Sequence, residues 1–347
     1  RTLLVLAVII ALVMGGGYAA FSHYTSKLNY VPREEEAKAV VTSTPPPVSE
    51  EHAEELASID DQLRASLEEK ADWDFTGKNV TNILLIGVDN DYTVGMNDRG
   101  NADGLIIVSI NKDTKQLILT SILRDLYVAV PEHGYNTKIT LSYHYAGTET
   151  LINTIENSFG IPIDNYVLVN YLNIIEIVDA VGGLTLDVDR SELYFMQEKI
   201  QNLNLLRGMP VTDNLIDPDD EGTLTLNGVQ VAAYMRVRLA GNADYERTER
   251  ARRVLTGLIY KALEMDLSQI NAMAETVLPK VTTDLDQGEI FSLLLNALTY
   301  MKYEMVSNRV PIDGTFYSAD IAGSVVVADF KANSEYLYNL IYEGKTE

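Results

Sequence analysis

The chain has no cysteine and only four histidines among its 347 residues. The lack of cysteine excludes disulfide bonds, thiol nucleophiles and cysteine-bound zinc. No two histidines have the H-x-x-x-H spacing of a zinc-binding helix, and the sequence contains no G-x-S-x-G elbow, no P-loop and no G-x-G-x-x-G loop. The usual signatures of serine hydrolases, nucleotide kinases, dehydrogenases and zinc enzymes are therefore missing.

Positive charge is also scarce, with 27 basic against 50 acidic side chains, a formal net charge of −23 and a pI near 4.5. This balance argues against sequence-independent nucleic-acid binding, which needs a positive surface. Even so, six of the 14 arginines lie within residues 236–253. Arginine suits phosphate and carboxylate oxygens, so the cluster indicates either an oxyanion site or a helix face paired with Glu246 and Glu249.

A long uncharged run occupies residues 2–21, TLLVLAVIIALVMGGGYAAF. Twenty residues of helix span about 30 Å, the thickness of a bilayer core. The sequence therefore predicts a transmembrane anchor over residues 1–22, with a cleaved signal peptide as the alternative. A single N-terminal anchor before a large domain usually exports that domain, which predicts a cytoplasmic N-terminus and an extracellular domain.

Residues 23–75 are expected to form an extracellular stalk that is partly helical. Three prolines at 45–47 stand among serine, threonine and glutamate, a composition typical of a flexible or semi-extended linker. Apolar residues then return at helical spacing and predict a helix leading into the domain. These residues are Leu56, Ile59, Leu63 and Leu67.

Residues 76–347 are predicted to form one α/β domain. The apolar run at 82–88 is typical of a buried strand, and residues 104–111 and 116–123 indicate two strands joined by a short turn. Further helices are predicted at 151–159, 171–180, 229–236, 246–265 and 287–302, further strands are predicted at 166–170 and 184–188, and the region 330–342 closes the domain. This alternation predicts a mixed central sheet covered by helices on both faces.

Two carboxylates flank the loop after the first strand of this domain. Asp89 ends that strand, and Asp103 lies just before the next one. Two acidic residues around a loop can share Mg²⁺, which takes one or two carboxylates and fills its other positions with water and phosphate. Aspartate is also ordinary at strand ends and in turns, so spacing alone leaves both interpretations open.

A basic group follows the third strand. Arg124 and Asp125 come directly after its apolar run, and Lys138 lies downstream. An arginine leaving the end of a central strand is well placed to reach into a crevice. The alternative is a surface salt bridge.

The arginine cluster predicts convergent side chains under two conditions. Arg236 and Arg238 point the same way if the backbone there is extended, and Arg247 and Arg250 share a face if the next segment is helical. Converging arginines together with two carboxylates would form a clamp for pyrophosphate and its metal ion.

Several motifs follow one another in a characteristic order. They are NILLIGVD (82–89), GNADG (100–104), LRD (123–125), KIT (138–140), GIPIDNYVLVN (160–170), VDAVGGLTLDV (178–188), LNGVQVAAYMRVR (226–238) and DYERTERARRVL (244–255). With these motifs the chain resembles the LytR–CpsA–Psr family of cell-wall glycopolymer ligases over roughly residues 78–260.

The resemblance implies an α/β domain with a long hydrophobic pocket for a polyprenyl chain. It implies transfer of a glycan phosphate, from wall teichoic acid or capsule, from a polyprenyl-pyrophosphate carrier to peptidoglycan. The reaction would need Mg²⁺ or Mn²⁺ and would take place outside the cell membrane of a Gram-positive bacterium, with no role for nucleic acid.

The resemblance also implies roles for individual residues. Asp89 and Asp103 would hold the metal, and the general base is left open between Asp103 and Asp125. The residues implied at the catalytic centre are Asp89, Asp103, Arg124, Arg236, Arg238 and Arg247, and those implied to contact the pyrophosphate are Arg99, Lys138 and Arg250.

Two positions depart from the family pattern. The family often has Gly-Arg-Ser-Asp-Thr where this chain has GNADG, so Asn101 replaces an arginine that Arg99 could supply instead. A glutamine commonly follows the second arginine of the last motif, where this chain has Ala251. These departures bear on turnover more than on phosphate binding. They leave a second function open, that of a non-catalytic accessory protein that binds polyprenyl phosphate or glycolipid.

Overall fold

The computed structural model describes residues 17–33, 52–89, 100–170, 172–237, 243–321 and 323–345. The chain divides into two compact units. Unit 1 comprises residues 1–29 and 169–282, and unit 2 comprises residues 30–168 and 283–347. The predicted division into anchor (1–22), stalk (23–75) and catalytic domain (76–347) stays a prediction.

Strands and helices alternate along most of the described chain. The strands are β1 (Asn29–Tyr30), β2 (Val80–Asp89), β3 (Asn101–Asn111), β4 (Gln116–Ile122), β5 (Tyr127–Val130), β6 (Tyr135–Lys138), β7 (Asn165–Asn170), β8 (Leu184–Val188), β9 (Gly222–Leu226), β10 (Val281–Thr283), β11 (Glu304–Val310), β12 (Phe316–Asp320) and β13 (Ser324–Ala328). The helices are α1 (Gly17–Thr25), α2 (Ala53–Glu68), α3 (Ile139–Phe159), α4 (Asn173–Ala180), α5 (Arg190–Leu206), α6 (Gly228–Met235), α7 (Ala243–Glu264), α8 (Leu267–Val277), α9 (Gln287–Tyr300) and α10 (Phe330–Glu343).

The central sheet has the strand order β1-β10-β7-β2-β3-β4-β11. Strands β2, β3 and β4 pair antiparallel, whereas β11 runs parallel to β4. In the β3–β4 turn, the Asn111 side-chain oxygen accepts the backbone N–H groups of Asp113 and Thr114, each at 2.9 Å. The predicted hairpin and the mixed sheet flanked by helices are confirmed. Coverage of both faces stays a prediction.

The core of unit 2 lies between the sheet and its helices. Leu84 of β2 is fully buried, and the rings of Phe159 and Phe330 meet edge to face with centroids 5.6 Å apart. Ile59 and Leu63 of α2 join the same apolar cluster. The helix predicted from the spacing of residues 56–67 is therefore present, and its apolar stripe belongs to this core.

Unit 1 has its own apolar core around α4, α5, α6 and the β8–β9 pair. Both α5 and α6 begin with a capping box, formed by Asp189 with Glu192 and by Asn227 with Gln230. Each N-cap satisfies backbone donors that the first helical turn leaves open, and such a cap contributes about 1 kcal/mol. The motif LNGVQ thus specifies where α6 begins.

The helix predicted at 151–159 begins earlier than expected, at Ile139. Gly147 lies inside it with φ 86° and ψ −172°, so two helical segments meet at a kink. Glycine adopts positive φ without the steric cost that other residues have. The kink at Gly147 changes the direction of the helix, so the apolar residues before and after it do not share one 3.6-residue period. The prediction was wrong for the first segment because that period is broken there.

The predicted membrane span lies mostly in residues 1–16, outside the described part of the chain. Helix α1 contains its last residues and continues to Thr25. Among the described residues, no helix combines the length and the apolar character that crossing a membrane requires.

Gly228, at the start of α6, lies against the backbone of α4. A Cβ at this position would stand 2.0 Å from the carbonyl oxygen of Ile175 and 2.6 Å from its carbonyl carbon. Because backbone atoms cannot rotate away, we expect Gly228→Ala to lower the free energy of unfolding by about 3 kcal/mol. Urea denaturation of the variant measures this loss.

Gly288→Ala in α9 is the matched control. Its nearest neighbour would be a side-chain oxygen of Asp286 at 3.2 Å, and alanine favours helix, so we expect a change below about 1 kcal/mol. Equal effects of the two substitutions would contradict the close approach of α6 to α4.

Candidate functional site

Asp89 and Asp103 lie at the same end of two paired strands. Asp89 is the last residue of β2 and pairs in register with Asn101 of β3. The register shifts between Gly87 and Val88, which makes Asp103 the extra residue of a β-bulge. Bulges commonly re-aim a side chain beside an active site. The strand pairing therefore places both predicted metal ligands in one region of unit 2.

Arg124 leaves the end of β4 between two buried leucines. Leu123 and Leu126 are 1% and 0% exposed, and the N–H of Ile139 donates to the Leu126 carbonyl oxygen at 2.8 Å. These contacts fix the backbone on both sides of Arg124, so its side chain extends from a rigid position. Arg124 Nη1 donates to Asp103 Oδ2 at 2.9 Å.

Further charged side chains of alternating sign contact the Arg124–Asp103 pair. Arg124 Nε donates to Asp125 Oδ2 at 3.3 Å, and Lys138 Nζ lies 3.0 Å from Asp125 Oδ1. At the other end, the Thr140 hydroxyl donates to Asp103 Oδ1 at 3.3 Å. We call these five residues the unit 2 charge chain.

The side chains of the charged members are between 16% and 23% exposed. Their attraction is therefore less screened than that of surface pairs, yet a ligand can still reach them. The carboxylates hold both cations in fixed positions, which suits binding of a phosphate group. The salt bridge that the sequence analysis gave as the alternative role of Arg124 is also present, since Arg124 pairs with Asp103 and Asp125.

Arg236 does not meet the condition of an extended backbone that its predicted shared orientation with Arg238 requires. Arg236 caps α6 with φ −97° and ψ −3°, so its backbone is not extended. The expectation that the side chains of Arg236 and Arg238 point the same way required an extended backbone, and the backbone at Arg236 does not support it. Arg238 and Arg99 lie outside the described residues.

Arg247 and Arg250 lie on helix α7, as the second condition required, and both are buried, at 9% and 2% exposure. Arg250 Nε donates to Glu192 Oε1 at 3.0 Å, Nη2 to Glu246 Oε2 at 3.0 Å and Nη1 to the Val237 carbonyl oxygen at 3.2 Å. All three guanidinium nitrogens are therefore engaged inside unit 1. The structure thus places Arg250 in a buried ion-pair network, and its predicted pyrophosphate contact stays a prediction.

Arg253 follows the same helix-face pattern. Its guanidinium donates to Glu249, one turn earlier, and to the Tyr234 hydroxyl at 3.2 Å. Burial, and then the nearby Glu192 carboxylate, raise the pKa of Tyr234, so the phenol stays neutral and can accept this bond. The local salt bridges proposed as the alternative for the arginine cluster are thus present at Arg250 and Arg253.

Carboxylates are the candidate donors for a metal ion in this region. Within the described ranges, no group of three or more histidine, aspartate or glutamate side chains is arranged to hold a metal ion. Mg²⁺ needs only one or two protein carboxylates when phosphate and water supply the rest. Asp89 and Asp103 meet that requirement, because they supply two carboxylate groups.

Sequence reasoning assigned no role to two residues that shape these groups. Thr140 lies in the KIT motif, but its bond to Asp103 depends on a contact 37 residues away in sequence. Glu192 is 6% exposed and pairs with Arg250 across 58 residues. The capping-box spacing from Asp189 to Glu192 predicts a helix start, yet nothing local predicts the ion pair.

Sequence comparison finds relatives with named activities. The polyisoprenyl-teichoic acid–peptidoglycan teichoic acid transferase TagU of Enterococcus faecalis is 30% identical over 229 residues, covering 65% of this chain and 69% of that protein. The protein of the same name from Bacillus subtilis is 28% identical over 271 residues, covering 76% and 81%.

Structural comparison supports the fold. The LytR-CPS2A-psr family protein YwtF (TagT) with bound octaprenyl pyrophosphate lipid aligns with a TM-score of 0.54 at 21% identity, covering 78% of this chain and 92% of that one. The family model LytR_cpsA_psr matches residues 48–339, which is most of the chain. The chain therefore belongs to the LytR_cpsA_psr family.

Proposed function

We propose that this chain transfers a glycan phosphate from a polyprenyl-pyrophosphate carrier to peptidoglycan. The named activity of the TagU relatives and the lipid in the TagT structure support this assignment. Within the chain, the observation that carries it is the pairing of Arg124 with Asp103 in the β-bulge, next to Asp125 and Lys138. The glycan would be wall teichoic acid or a capsule polysaccharide.

The proposed reaction is a phosphoryl transfer. A peptidoglycan hydroxyl attacks the phosphorus bonded to the sugar, the bond from that phosphorus to the bridging oxygen breaks, and polyprenyl phosphate leaves with that oxygen. The hydroxyl proton passes to a base, for which Asp103 and Asp125 are the candidates. The product is a phosphodiester between glycan and peptidoglycan.

Catalysis in such a reaction is mainly positioning and electrostatic stabilisation. Arg124 and Lys138 would neutralise negative charge on the phosphate oxygens, and Asp103 and Asp125 hold those cations ready. Mg²⁺ or Mn²⁺, when bound by Asp89 and Asp103, would add charge neutralisation at the phosphates. Arg99, Arg236, Arg238 and Arg247 remain proposed phosphate contacts, each to be tested by its own substitution.

The proposed location is the outer face of the cell membrane of a Gram-positive bacterium. A lipid-linked donor is confined to the bilayer, and the apolar run at 2–21 would anchor the chain there with its N-terminus in the cytoplasm.

Release of polyprenyl phosphate tests this function. The full chain, reconstituted in vesicles with a synthetic polyprenyl-pyrophosphate disaccharide and peptidoglycan fragments, should release polyprenyl phosphate with Mg²⁺. EDTA should slow release by about 100-fold or more, and added Mg²⁺ should restore it. Donor binding without release at any Mg²⁺ concentration would contradict the transferase and support the accessory role.

A further inference from the structure

Helix α9 of unit 2 is apolar but has no buried residue. Its sequence, QGEIFSLLLNALTY, carries one charged side chain. Leu294 and Leu295 are 46% and 43% exposed. The two leucines are adjacent, so they form part of a contiguous apolar surface, and such surfaces are typical of protein or membrane interaction sites.

The apolar residues of α9 form two stripes. Ile290, Leu293 and Ala297 make one stripe by helical spacing and are half-buried. The second stripe follows the pattern i, i+3, i+4, i+7, which places its members on a single face. It consists of Phe291, Leu294, Leu295 and Leu298.

The second stripe adjoins the first on one side of the helix and meets a polar side on the other. Ser292 and Thr299 are exposed there, together with Glu289 near the N-terminus. Apolar side chains on one face of a helix can bury themselves at the boundary of lipid headgroups and acyl chains, and this binding grows with the apolar area that is buried.

The end of the helix carries residues that favour that interface. The rings of Tyr300 and Tyr303 meet edge to face with centroids 5.5 Å apart, and Lys302 between them is exposed. Tyrosine concentrates at lipid headgroups, and lysine can extend its charge to them while its stem stays apolar.

Chain connectivity sets an upper limit on the distance from the start of α9 to the predicted membrane span. The N–H of Val31 donates to the Thr283 carbonyl oxygen at 2.9 Å, and Arg33 Nε lies 3.6 Å from the Asp284 carboxylate. Only two residues stand between Asp284 and the first residue of α9. Val31 follows Phe21 by ten residues, so this junction lies at most about 35 Å from the end of the apolar run.

We infer that the second stripe of α9 docks on the outer leaflet of the lipid bilayer. This inference rests on the anchor and the outward orientation in the proposed function. With a net charge of −23 the chain gains no electrostatic attraction to anionic lipid, so the stripe binds through apolar contact and depends on the tether for local concentration. Docking holds unit 2, which carries the charge chain, at the leaflet that contains the donor.

Fluorescence quenching tests the docking directly. The chain has no cysteine, so Leu295→Cys carries a single thiol for an environment-sensitive fluorophore. With the full chain in phosphatidylglycerol–phosphatidylethanolamine vesicles, we expect a blue-shifted emission and quenching by lipids with a nitroxide on the acyl chain. The same label at Ser292, on the polar side, or at Tyr317, 45% exposed on β12, should be quenched at least about threefold less.

Three results would overturn the inference. Equal quenching at positions 295 and 317 would show that the stripe does not meet the bilayer. A response at 295 to polyprenyl phosphate in detergent, but none to vesicles, would assign the stripe to the donor's lipid chain. Disulfide crosslinking of two unlabelled Leu295→Cys chains, to the same extent with and without lipid, would assign it to a second copy.

The variant Leu294→Glu/Leu295→Glu separates docking from catalysis. Both side chains are exposed, so the fold should tolerate the change. We expect transfer from a vesicle-embedded donor to fall about tenfold, and transfer from a short-chain donor dispersed in detergent to stay within about twofold. If the label at position 295 is quenched by lipid but the wild-type chain transfers from neither donor, the proposed function is refuted and docking stands. If Leu294→Glu/Leu295→Glu transfers from vesicles as fast as the wild type, docking alone is refuted.

Discussion

Replacing Asp103 with asparagine is expected to slow glycan-phosphate transfer by about 10²- to 10³-fold. Asparagine has nearly the same shape and can still accept the Thr140 hydrogen bond, but it lacks the charge that would bind a metal ion and orient Arg124. The guanidinium keeps Asp125 as a partner, so the free energy of unfolding should fall by about 1 kcal/mol or less. Initial rates and urea denaturation measure the two quantities.

Asp113→Asn provides the control for Asp103→Asn. Asp113 lies at the far end of the same β3–β4 hairpin, in the turn, where it accepts from the Asn79 side chain at 2.8 Å. The same loss of one carboxylate there should leave transfer unchanged. If Asp103→Asn keeps more than about half of the wild-type rate, the β-bulge is not the catalytic region.

Replacing Arg250 with methionine is expected to lower the free energy of unfolding by about 3–5 kcal/mol. The change removes the partner of Glu192, whose side chain is 8% exposed, and leaves that carboxylate buried without its charge partner. Removing one member of a buried ion pair costs far more than removing a surface pair. Chemical denaturation of the full chain measures the loss.

Two further variants define the cause of that loss. Arg253→Met removes an ion pair whose members are each 50% exposed and one hydrogen bond to the Tyr234 hydroxyl, and should cost about 1–2 kcal/mol, less than Arg250→Met. Adding Glu192→Leu to Arg250→Met removes the stranded charge and should regain much of the stability. A stable Arg250→Met variant that has lost transfer would support Arg250 as a phosphate contact and contradict the structural role.

Local patterns predicted the strands β2, β3, β4, β7 and β8 and the β3–β4 hairpin. The run NILLIGV is apolar on nearly every residue, which is typical of a buried strand or helix, and the Asp113–Thr114 turn carries its own Asx hydrogen bonds to Asn111. Helix α5 was missed although Leu193, Met196, Ile200 and Leu203 keep helical spacing, because its many polar residues hid that stripe.

Features that depend on distant partners could not be predicted. The β-bulge at Asp103 exists only in the register between β2 and β3, which the sequence of either strand leaves open. The short pairs β5–β6 and β12–β13 likewise need each other for their hydrogen bonds.

The arginine cluster shows the same limit for the candidate site. Helical spacing correctly placed Arg247 and Arg250 on α7, yet spacing could not distinguish a ligand contact from a buried pair with Glu192, 58 residues away. By contrast, Arg124 and Asp103 each stand beside a strand end in the sequence. Adjacent strands of one sheet therefore bring the two together.

The most direct test of the proposed transfer is mass spectrometry of the acceptor. Full chain in vesicles is incubated with Mg²⁺, a polyprenyl-pyrophosphate glycan and peptidoglycan fragments, with Asp103→Asn as a parallel sample. We expect the wild type to form a phosphodiester-linked glycan on the fragment, and this product should be absent with EDTA and nearly absent with the variant. Unmodified acceptor across several glycans, with donor bound to the protein, would contradict the transferase and assign the chain to lipid binding.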